Sequence, residues 1–331
     1  MPERLEKLKH WLEAELDFRE YTLNPASADA SFRRYFRIMH EGASLIVMDA
    51  PPDREDSRPF IRISGMFSDA GLNVPAVIDE NLEQGFLLLS DLGSRPYLDE
   101  LNGDTVARLY GDALGALVAI QTCIPDQGAL PSYDRTLLLN EMELFREWLV
   151  GRHLQIAPDS VQTACMDAAF TLLADNALEQ PQVCVHRDYH SRNLMYMERN
   201  NPGILDFQDA VIGPVTYDLV SLLRDCYIAW PRAQVEDWAY GYQELALQSG
   251  ILREEHEDPV RFLRWFDLMG MQRHLKAAGI FARLNHRDGK PGYLGDIPRT
   301  LGYVIEVAAR YDELSAFGEF VEAAVMDRFD S

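Results

Sequence analysis

The sequence predicts an α+β protein in which a small, strand-rich N-terminal part precedes a larger helical part. Short apolar runs rich in β-branched residues fall within residues 1–90, such as LIVMDA at 45–50 and FLLLS at 86–90. From Leu98 onward, apolar residues recur at helical spacing. The chain has 331 residues, which is enough for two lobes with cores of their own. We place the domain boundary at residue 90, giving an N-terminal lobe 1–90 and a C-terminal lobe 91–331.

The N-terminal lobe is predicted to begin with an amphipathic helix over residues 3–18, because leucines recur there at spacings of three and four. These are Leu5, Leu8, Leu12 and Leu16. Segments 27–38 and 43–52 follow as a strand pair, with a turn near residues 24–31. A helix over 58–70, a strand over 72–78 and the buried strand before Ser90 complete this lobe.

The C-terminal lobe is predicted to be mostly helical. Its helical segments are 104–123, 137–150, 159–178, 216–230, 235–248, 258–284 and 298–314. Their aromatic residues are more often core than ligand platform, so we interpret these helices as the packed body of the lobe.

Residues 183–218 contain the most informative pattern of the chain. A short apolar run at 183–185 ends in His-Arg-Asp, and Asn193 follows five residues after Asp188. The apolar segments LMYM and GILDF are separated by the turn-rich ERNNP, which predicts a hairpin. A hairpin brings its ends together, so Asp206 should lie beside Asn193. Three oxygen-bearing side chains would then converge.

The order and spacing of these residues indicate phosphoryl transfer. Asn193 and Asp206 suit Mg²⁺, which takes oxygen ligands and usually binds one or two carboxylates together with substrate phosphates. Asp188 is left to accept a proton from a hydroxyl. Each residue alone is more often a cap of a turn, but together they match the kinase pattern H-R-D-x-x-x-x-N followed by a metal-binding Asp.

Around this motif the chain resembles the aminoglycoside phosphotransferase and choline kinase superfamily. The matching segments are HRDYHSRN at 186–193, LDFQDA at 205–210 and GPVTYDLVSLL at 213–223. Within the superfamily it is most similar to the anomeric kinases of N-acetylmuramate and N-acetylglucosamine in peptidoglycan recycling, through SADASFRRYFR at 27–37, VMDAPP at 47–52 and LDFQDAVIGPVTYDLVSLLRDCY at 205–227. The resemblance implies a bilobal protein-kinase-like fold, with nucleotide bound by 1–90 and catalysis performed in 91–331.

The resemblance also places the loop over the nucleotide phosphates in the segment that contains Ser27 and Ser31. No G-x-G-x-x-G is present, so backbone cradling by glycines is not predicted. Ser27 and Ser31 could instead offer hydroxyls and amides, with Arg33 or Arg34 as a charged partner. A solvated arginine face is an equally good interpretation of the same residues.

The third strand lacks the lysine that protein kinases use to bind phosphates. Met48 and Asp49 stand at its place, and the segment after it lacks the usual glutamate partner. Met48 is kept among the ATP-binding candidates, and Ser90 and Asp91 are assigned to the hinge where backbone groups meet adenine. Because the lysine–glutamate pair is missing, an enzyme with degraded catalysis is one alternative. The intact base and metal ligands favour instead an active site that uses other contacts to the phosphates.

Further candidates surround the motif. His190, Arg192 and Asp209 are assigned to the acceptor, although the first two could equally brace the loop. His186 is expected to orient the loop rather than perform chemistry. Asp218, near a helix start, could accept backbone amides, and the resemblance implies that it supports the catalytic loop.

Composition limits the partners. The net charge of −22 argues against nucleic acid or an anionic membrane. No apolar run reaches the length of a membrane span, and the N-terminus lacks an apolar secretion core. The four cysteines form no C-x-x-C pair, which predicts reduced thiols and a cytoplasmic protein. The oligomeric state is left open.

The motif predicts an ATP- and Mg²⁺-dependent kinase, and the resemblance implies that it converts an N-acetylated amino sugar into its 1-phosphate. One alternative is a phosphotransferase for an aminoglycoside or a choline-like alcohol, for which an acidic pocket is expected. An alternative of another class is a nucleotide-binding pseudokinase that acts as a regulator.

Overall fold

The computed structural model describes residues 2–28, 32–123, 128 and 130–329. The strands are β1 (Tyr21–Ala28), β2 (Arg34–His40), β3 (Ala43–Asp49), β4 (Val77–Asn81), β5 (Phe86–Ser90), β6 (Gln182–Val185), β7 (Leu194–Met195), β8 (Gly203–Ile204) and β9 (Val211–Pro214). The α-helices are α1 (Pro2–His10), α2 (Arg58–Asp69), α3 (Tyr97–Glu100), α4 (Val106–Thr122), α5 (Arg135–Leu144), α6 (Ser160–Glu179), α7 (Tyr217–Leu223), α8 (Arg232–Gln248), α9 (Pro259–Asp288), α10 (Ile297–Ala308) and α11 (Ser315–Phe320). Short π-helical turns cover Trp11–Glu15, Phe145–His153 and Val321–Val325, and 3₁₀ turns cover Glu254–His256, Pro291–Asp296, Asp312–Leu314 and Met326–Arg328.

The chain forms two compact units. The first unit comprises the residues up to Pro96 together with Leu194–Asp209, and the second comprises Tyr97–Asn193 and the residues from Ala210 onward. The first unit contains an antiparallel sheet of order β1-β2-β3-β5-β4. The second is mainly helical, so the predicted α+β class is confirmed.

The N-terminal helix packs on the sheet of the first unit. Leu8, Trp11 and Leu12 are buried against a cluster that includes Val47 and Phe86 of the sheet. The rings of Trp11 and Phe86 stack with centroids 5.7 Å apart. Burying one such apolar side chain contributes about 1.5–3 kcal/mol, so this contact covers one face of the sheet at a substantial gain. The predicted apolar stripe is confirmed, with α1 ending at His10 and a π-helical turn continuing it.

Two predicted boundaries in this unit are wrong, and a proline lies near each of them. The turn expected near residues 24–31 does not begin at residue 24, because β1 continues to Ala28 with a bulge between Pro25 and Ser27. Proline is tolerated there because β1 is the edge strand of the sheet, with no further strand paired to it among the described residues. The strand expected over 72–78 begins only at Val77, after Pro75, which cannot donate to a ladder.

The predicted hairpin after the catalytic motif is confirmed as β7 paired with β8. The hairpin belongs to the first unit, because its backbone hydrogen bonds and the aromatic contact that follows it are made with residues of that unit. Ile204 N donates to Asn73 O at 2.8 Å, and Tyr196 N donates to Arg95 O at 2.7 Å. The ring of Phe207 lies 4.8 Å from that of Phe60 on α2. These contacts fix the segment that ends at Asp209.

Helix α9 is the central element of the second unit. Asp258 caps its start by accepting from Val260 N, and Gly289 ends it in the left-handed conformation at φ 65°. The helix packs against α5, α6, α7 and α10. At Gly279 a Cβ would lie 2.3 Å from the Leu144 backbone, so only glycine permits this approach.

The helix predicted over 216–230 is shorter, because α7 ends at Leu223. Asp225 accounts for the early end, since its side chain accepts from Tyr227 N at 2.9 Å and from Ser191 N at 3.0 Å. Such bonds compete with the helical ladder. Nearby, β6 pairs with β9 and leads directly into the predicted catalytic motif that begins at His186. Among the described residues, no helix combines the length and apolar character that crossing a lipid bilayer requires.

Candidate active site

Residues 186–193, the predicted catalytic loop, follow β6 and are anchored to the start of α7. The buried carboxylate of Asp218 accepts from His186 N at 2.6 Å and from Arg187 N at 3.0 Å. Burial raises the pKa of Asp218 to about 7, and the two amide donors oppose this rise. Arg187 has φ 79°, a left-handed conformation that is rare for a non-glycine residue. The bond at its amide therefore holds the loop in a conformation that its sequence alone does not favour.

Within the loop, Asp188 and Asn193 are joined directly. Asn193 Nδ2 donates to Asp188 O at 3.0 Å, and His190 N donates to the same oxygen at 3.1 Å. Asp188 N donates to His186 Nδ1 at 3.2 Å, so the imidazole orients the backbone of the loop. Because the amide nitrogen of Asn193 faces Asp188, its Oδ1 lies on the opposite side of the amide group.

Asp188 lines a cavity of about 100 Å³ within the second unit. Arg273 and Lys276 of α9 lie in its wall, together with the apolar surfaces of Ile280 and Phe281. Burial by itself raises the pKa of Asp188, but positive charge, above all that of Lys276, outweighs it and holds this pKa below its ordinary value. Asp188 is therefore a carboxylate at neutral pH.

A buried ion-pair cluster lies behind this cavity. Glu141 of α5 accepts from Lys276 Nζ at 3.1 Å and also binds Arg187 and the hydroxyl of Tyr133. Lys276 donates in addition to Tyr217 Oη at 2.9 Å. Sequence analysis missed Glu141 and Lys276. The signal available was a charged residue on the apolar face of a predicted helix, which is rare without a partner.

The other loop residues contact an aromatic group. The guanidinium of Arg192 lies 3.6 Å from the ring centroid of Tyr227 and 5.5 Å from that of Tyr293. The ring of His190 lies 5.4 Å from that of Tyr227, and both line the cavity. Sequence analysis also missed Asp225. The carboxylate of Asp225 accepts hydrogen bonds from both the backbone N and the Oγ of Ser191.

In the first unit, Asp206 has φ 66° and accepts from Gln208 Nε2 at 2.8 Å. Arg33 forms an ion pair with Glu55 at 3.1 Å. Burial by itself lowers the pKa of Arg33, but surrounding negative charge, including that of Asp206 and Asp209, outweighs it and raises this pKa. Arg33 and both aspartates therefore belong to one electrostatic neighbourhood.

Where protein kinases carry the strand-three lysine, this chain has Met48 and Asp49, and both side chains are buried. Met48 is fully buried in β3, in register with Tyr35 and Leu87. Asp49, also fully buried, accepts from Arg4 Nε at 2.9 Å and from Arg34 Nε at 3.0 Å. This position therefore carries the negative charge of Asp49 instead of the positive charge of a lysine, and Arg4 and Arg34 compensate it.

The side chains of the two hinge candidates, Ser90 and Asp91, form hydrogen bonds within the first unit. Ser90 Oγ accepts from Ala76 N at 2.9 Å. Asp91 binds Arg37 through two hydrogen bonds of 2.6 and 3.0 Å. The side chains of both residues thus hold the end of the strand. Ser31 and the side chain of Ser27 lie outside the described part of the chain.

The predicted meeting of Asp188, Asn193 and Asp206 joins residues of both units. Asp188 and Asn193 belong to the second unit, and Asp206 belongs to the first. Their convergence stays a prediction, as do the individual nucleotide and acceptor contacts.

Comparison with known proteins agrees with the motif. The model of the phosphotransferase enzyme family matches residues 22–263. An N-acetylmuramate/N-acetylglucosamine kinase of Pseudomonas putida is 48% identical over 334 residues, covering 97% of this chain and 97% of that protein. A protein of the same name from Neisseria meningitidis serogroup B is 44% identical and covers 93% of this chain and 92% of its own length.

Solved structures show the same fold at low identity. An ADP-bound aminoglycoside phosphotransferase superposes with a TM-score of 0.60 at 14% identity, covering 91% of this chain and 98% of its own. An ethanolamine kinase of Plasmodium vivax gives a TM-score of 0.62 at 10% identity, covering 88% and 83%. The predicted kinase-like fold is confirmed. With the match over residues 22–263, these findings show that the chain belongs to the phosphotransferase enzyme family.

Proposed function

We propose that the protein is an ATP-dependent kinase that phosphorylates the 1-hydroxyl of N-acetylmuramate and N-acetylglucosamine, giving sugar 1-phosphates for cell-wall recycling. The observation that supports this substrate most strongly is identity close to one half, along nearly the whole chain, with a kinase named for these two sugars. The four cysteines are free, which supports a cytoplasmic location.

The first unit is the proposed nucleotide site. Backbone groups at Ser90 and Asp91 would meet adenine. The Arg33–Glu55 ion pair would take over the role of the missing lysine–glutamate pair, because a guanidinium held by a carboxylate can present donors to phosphate oxygens. Asp209, within the same electrostatic neighbourhood, would help to hold Arg33 charged.

Asn193 and Asp206 are the proposed magnesium ligands. Their donor atoms fit, since Asp206 offers a carboxylate and the amide nitrogen of Asn193 already faces Asp188 O. When bound, the ion would supply charge neutralisation to the phosphates. The hydrogen bond from Gln208 Nε2 keeps the Asp206 carboxylate oriented.

Asp188 is the proposed catalytic base. Its carboxylate would orient the sugar hydroxyl and accept its proton while the new O–P bond forms and the bond between the γ-phosphorus and the ADP oxygen breaks. A pKa below the ordinary value keeps it ionised for this task. Asp218 and His186 hold the loop backbone in position through the bonds described above.

The charge of the cavity argues against a cationic acceptor. Arg273 and Lys276 both lie in its wall beside Asp188. An aminoglycoside or a choline-like alcohol would bring further positive charge to this wall, which like-charge repulsion disfavours. A neutral or anionic sugar avoids this repulsion.

The test is ADP release from Mg-ATP with a panel of amino sugars, aminoglycosides and choline. We expect turnover with the two N-acetylated sugars and a phosphorus NMR signal for an anomeric phosphate. Asp188→Asn should bind ATP normally and lose most turnover, whereas Asp206→Ala should also lose Mg-ATP binding. Turnover only with aminoglycosides or choline would reject the substrate, and ATP binding without any turnover would favour the pseudokinase.

A further inference from the structure

Arg273 stands out among the residues of the cavity. It is only 6% exposed and lines the cavity beside Asp188. In the described part of the chain its Nε has no hydrogen-bond partner, and its Nη1 lies 3.9 Å from Cys226 Sγ, a weak acceptor. Lys276, one turn further along α9, is by contrast bonded to Glu141 and Tyr217. Two buried cations thus line the same wall, and only Lys276 has its carboxylate in contact.

A buried guanidinium with an unused donor is costly unless an acceptor is supplied. Burial by itself lowers the pKa of Arg273, but nearby negative charge, including that of Asp188, outweighs it and raises this pKa, so the guanidinium stays protonated. Attraction at longer range does not provide the hydrogen bond that Nε lacks. An anionic oxygen group that enters the cavity would provide it.

We infer that Arg273 binds a carboxylate of the acceptor. This inference rests on the proposed function, since Asp188 of the same cavity acts there on the acceptor hydroxyl. Of the two sugars, N-acetylmuramate has a lactyl carboxylate and N-acetylglucosamine has none. Arg273 is therefore a specificity residue for the acid sugar. A phosphate oxygen of the nucleotide has the same anionic chemistry, and the experiment separates it from the carboxylate.

The wall around Arg273 suits such a contact. Lys276, Ala277 and Ile280 follow at spacings of three, four and seven, so they share one face of α9 with it. Apolar neighbours lower the local dielectric and strengthen a charge-assisted hydrogen bond. The planar guanidinium also matches a carboxylate through two parallel donors.

The experiment compares kcat/KM for both sugars in wild type and Arg273→Gln. A hydrogen bond to a charged group contributes about 1.5–3 kcal/mol, so we expect a loss on the order of 10- to 100-fold with N-acetylmuramate. The value for N-acetylglucosamine should stay within about threefold, because that sugar makes no ionic contact. Arg261→Gln, which removes an exposed arginine of the same helix, is the matched control and should change neither value.

A second arm uses the wild-type protein, so it does not depend on the folding of a variant. The methyl ester of N-acetylmuramate lacks the negative charge and should lose the same factor in wild type. In Arg273→Gln the ester and the acid should react alike. Equal losses of Arg273→Gln with both sugars would indicate a phosphate contact or a positioning role and would overturn the inference alone. Equal wild-type rates for acid and ester would overturn it as well. A wild type inactive on both sugars would overturn the proposed function and the inference with it.

Discussion

Replacing Glu141 by glutamine tests the ion-pair cluster behind the catalytic loop. The Glu141 side chain is 7% exposed, and those of its partners Lys276 and Arg187 are 11% and 20% exposed. Glutamine keeps the shape of the side chain and removes its charge. Two largely buried cations would then lose their counter-ion.

The expected cost follows from burial. Breaking a buried ion pair by removing one partner costs about 3–5 kcal/mol, because the remaining charge stays desolvated. Arg187 retains some contact with water, and Lys276 keeps its hydrogen bond to Tyr217 Oη at 2.9 Å. We therefore expect the lower end of this range, about 3 kcal/mol in the free energy of unfolding. This is a large fraction of the stability of a typical protein, about 5–15 kcal/mol.

The assay is urea unfolding at pH 7, followed by tryptophan fluorescence and by circular dichroism. Glu143→Gln is the matched control, because Glu143 lies on the same helix and its carboxylate is 3.4 Å from Arg146 with 46% of the side chain exposed. Exposed pairs contribute about 0–1 kcal/mol, so this variant should unfold near the wild-type midpoint. If Glu141→Gln and Glu143→Gln shift the midpoint equally, the cluster does not hold the second unit together and the reasoning is refuted.

Three further predictions concern single side chains. Asp218→Asn should speed amide exchange at His186 and Arg187, because asparagine offers one acceptor oxygen where two are used; unchanged exchange would show that the loop is held by other contacts. Arg33→Met should raise KM for ATP about tenfold and leave KM for the sugar unchanged, as expected for one lost charge-assisted bond to phosphate. If the variant and the wild type have the same KM for ATP, Arg33 does not bind phosphate. Burial lowers the pKa of His274 from 6.5 to about 3, so the unfolded chain gains a proton as pH falls below 6.5 while the folded chain does not. Stability should therefore fall by about 2 kcal/mol between pH 7 and pH 5. His274→Gln, which can still donate to Arg224 O, should reduce this slope in urea unfolding, and an unaltered slope would contradict the assignment.

Several features were predictable because they depend on short stretches of chain. The N-terminal helix, the hairpin of β7 and β8, and the run from His186 to Asn193 follow from spacing and turn residues. Errors arose where a side chain overrode the local pattern. Asp225 ends α7 early by accepting backbone amides, and no property of the residues before it indicates this.

By itself, then, the sequence determined the phosphotransferase family, the strand-rich and helical parts, and the identity of the proposed base. Only the tertiary structure placed Lys276 on Glu141 and Arg273 in the wall beside Asp188. Spacing along the chain reports backbone geometry over a few residues. Which buried charge meets which counter-ion depends on the packing of helices more than a hundred residues apart, and that packing decides the electrostatics of the site.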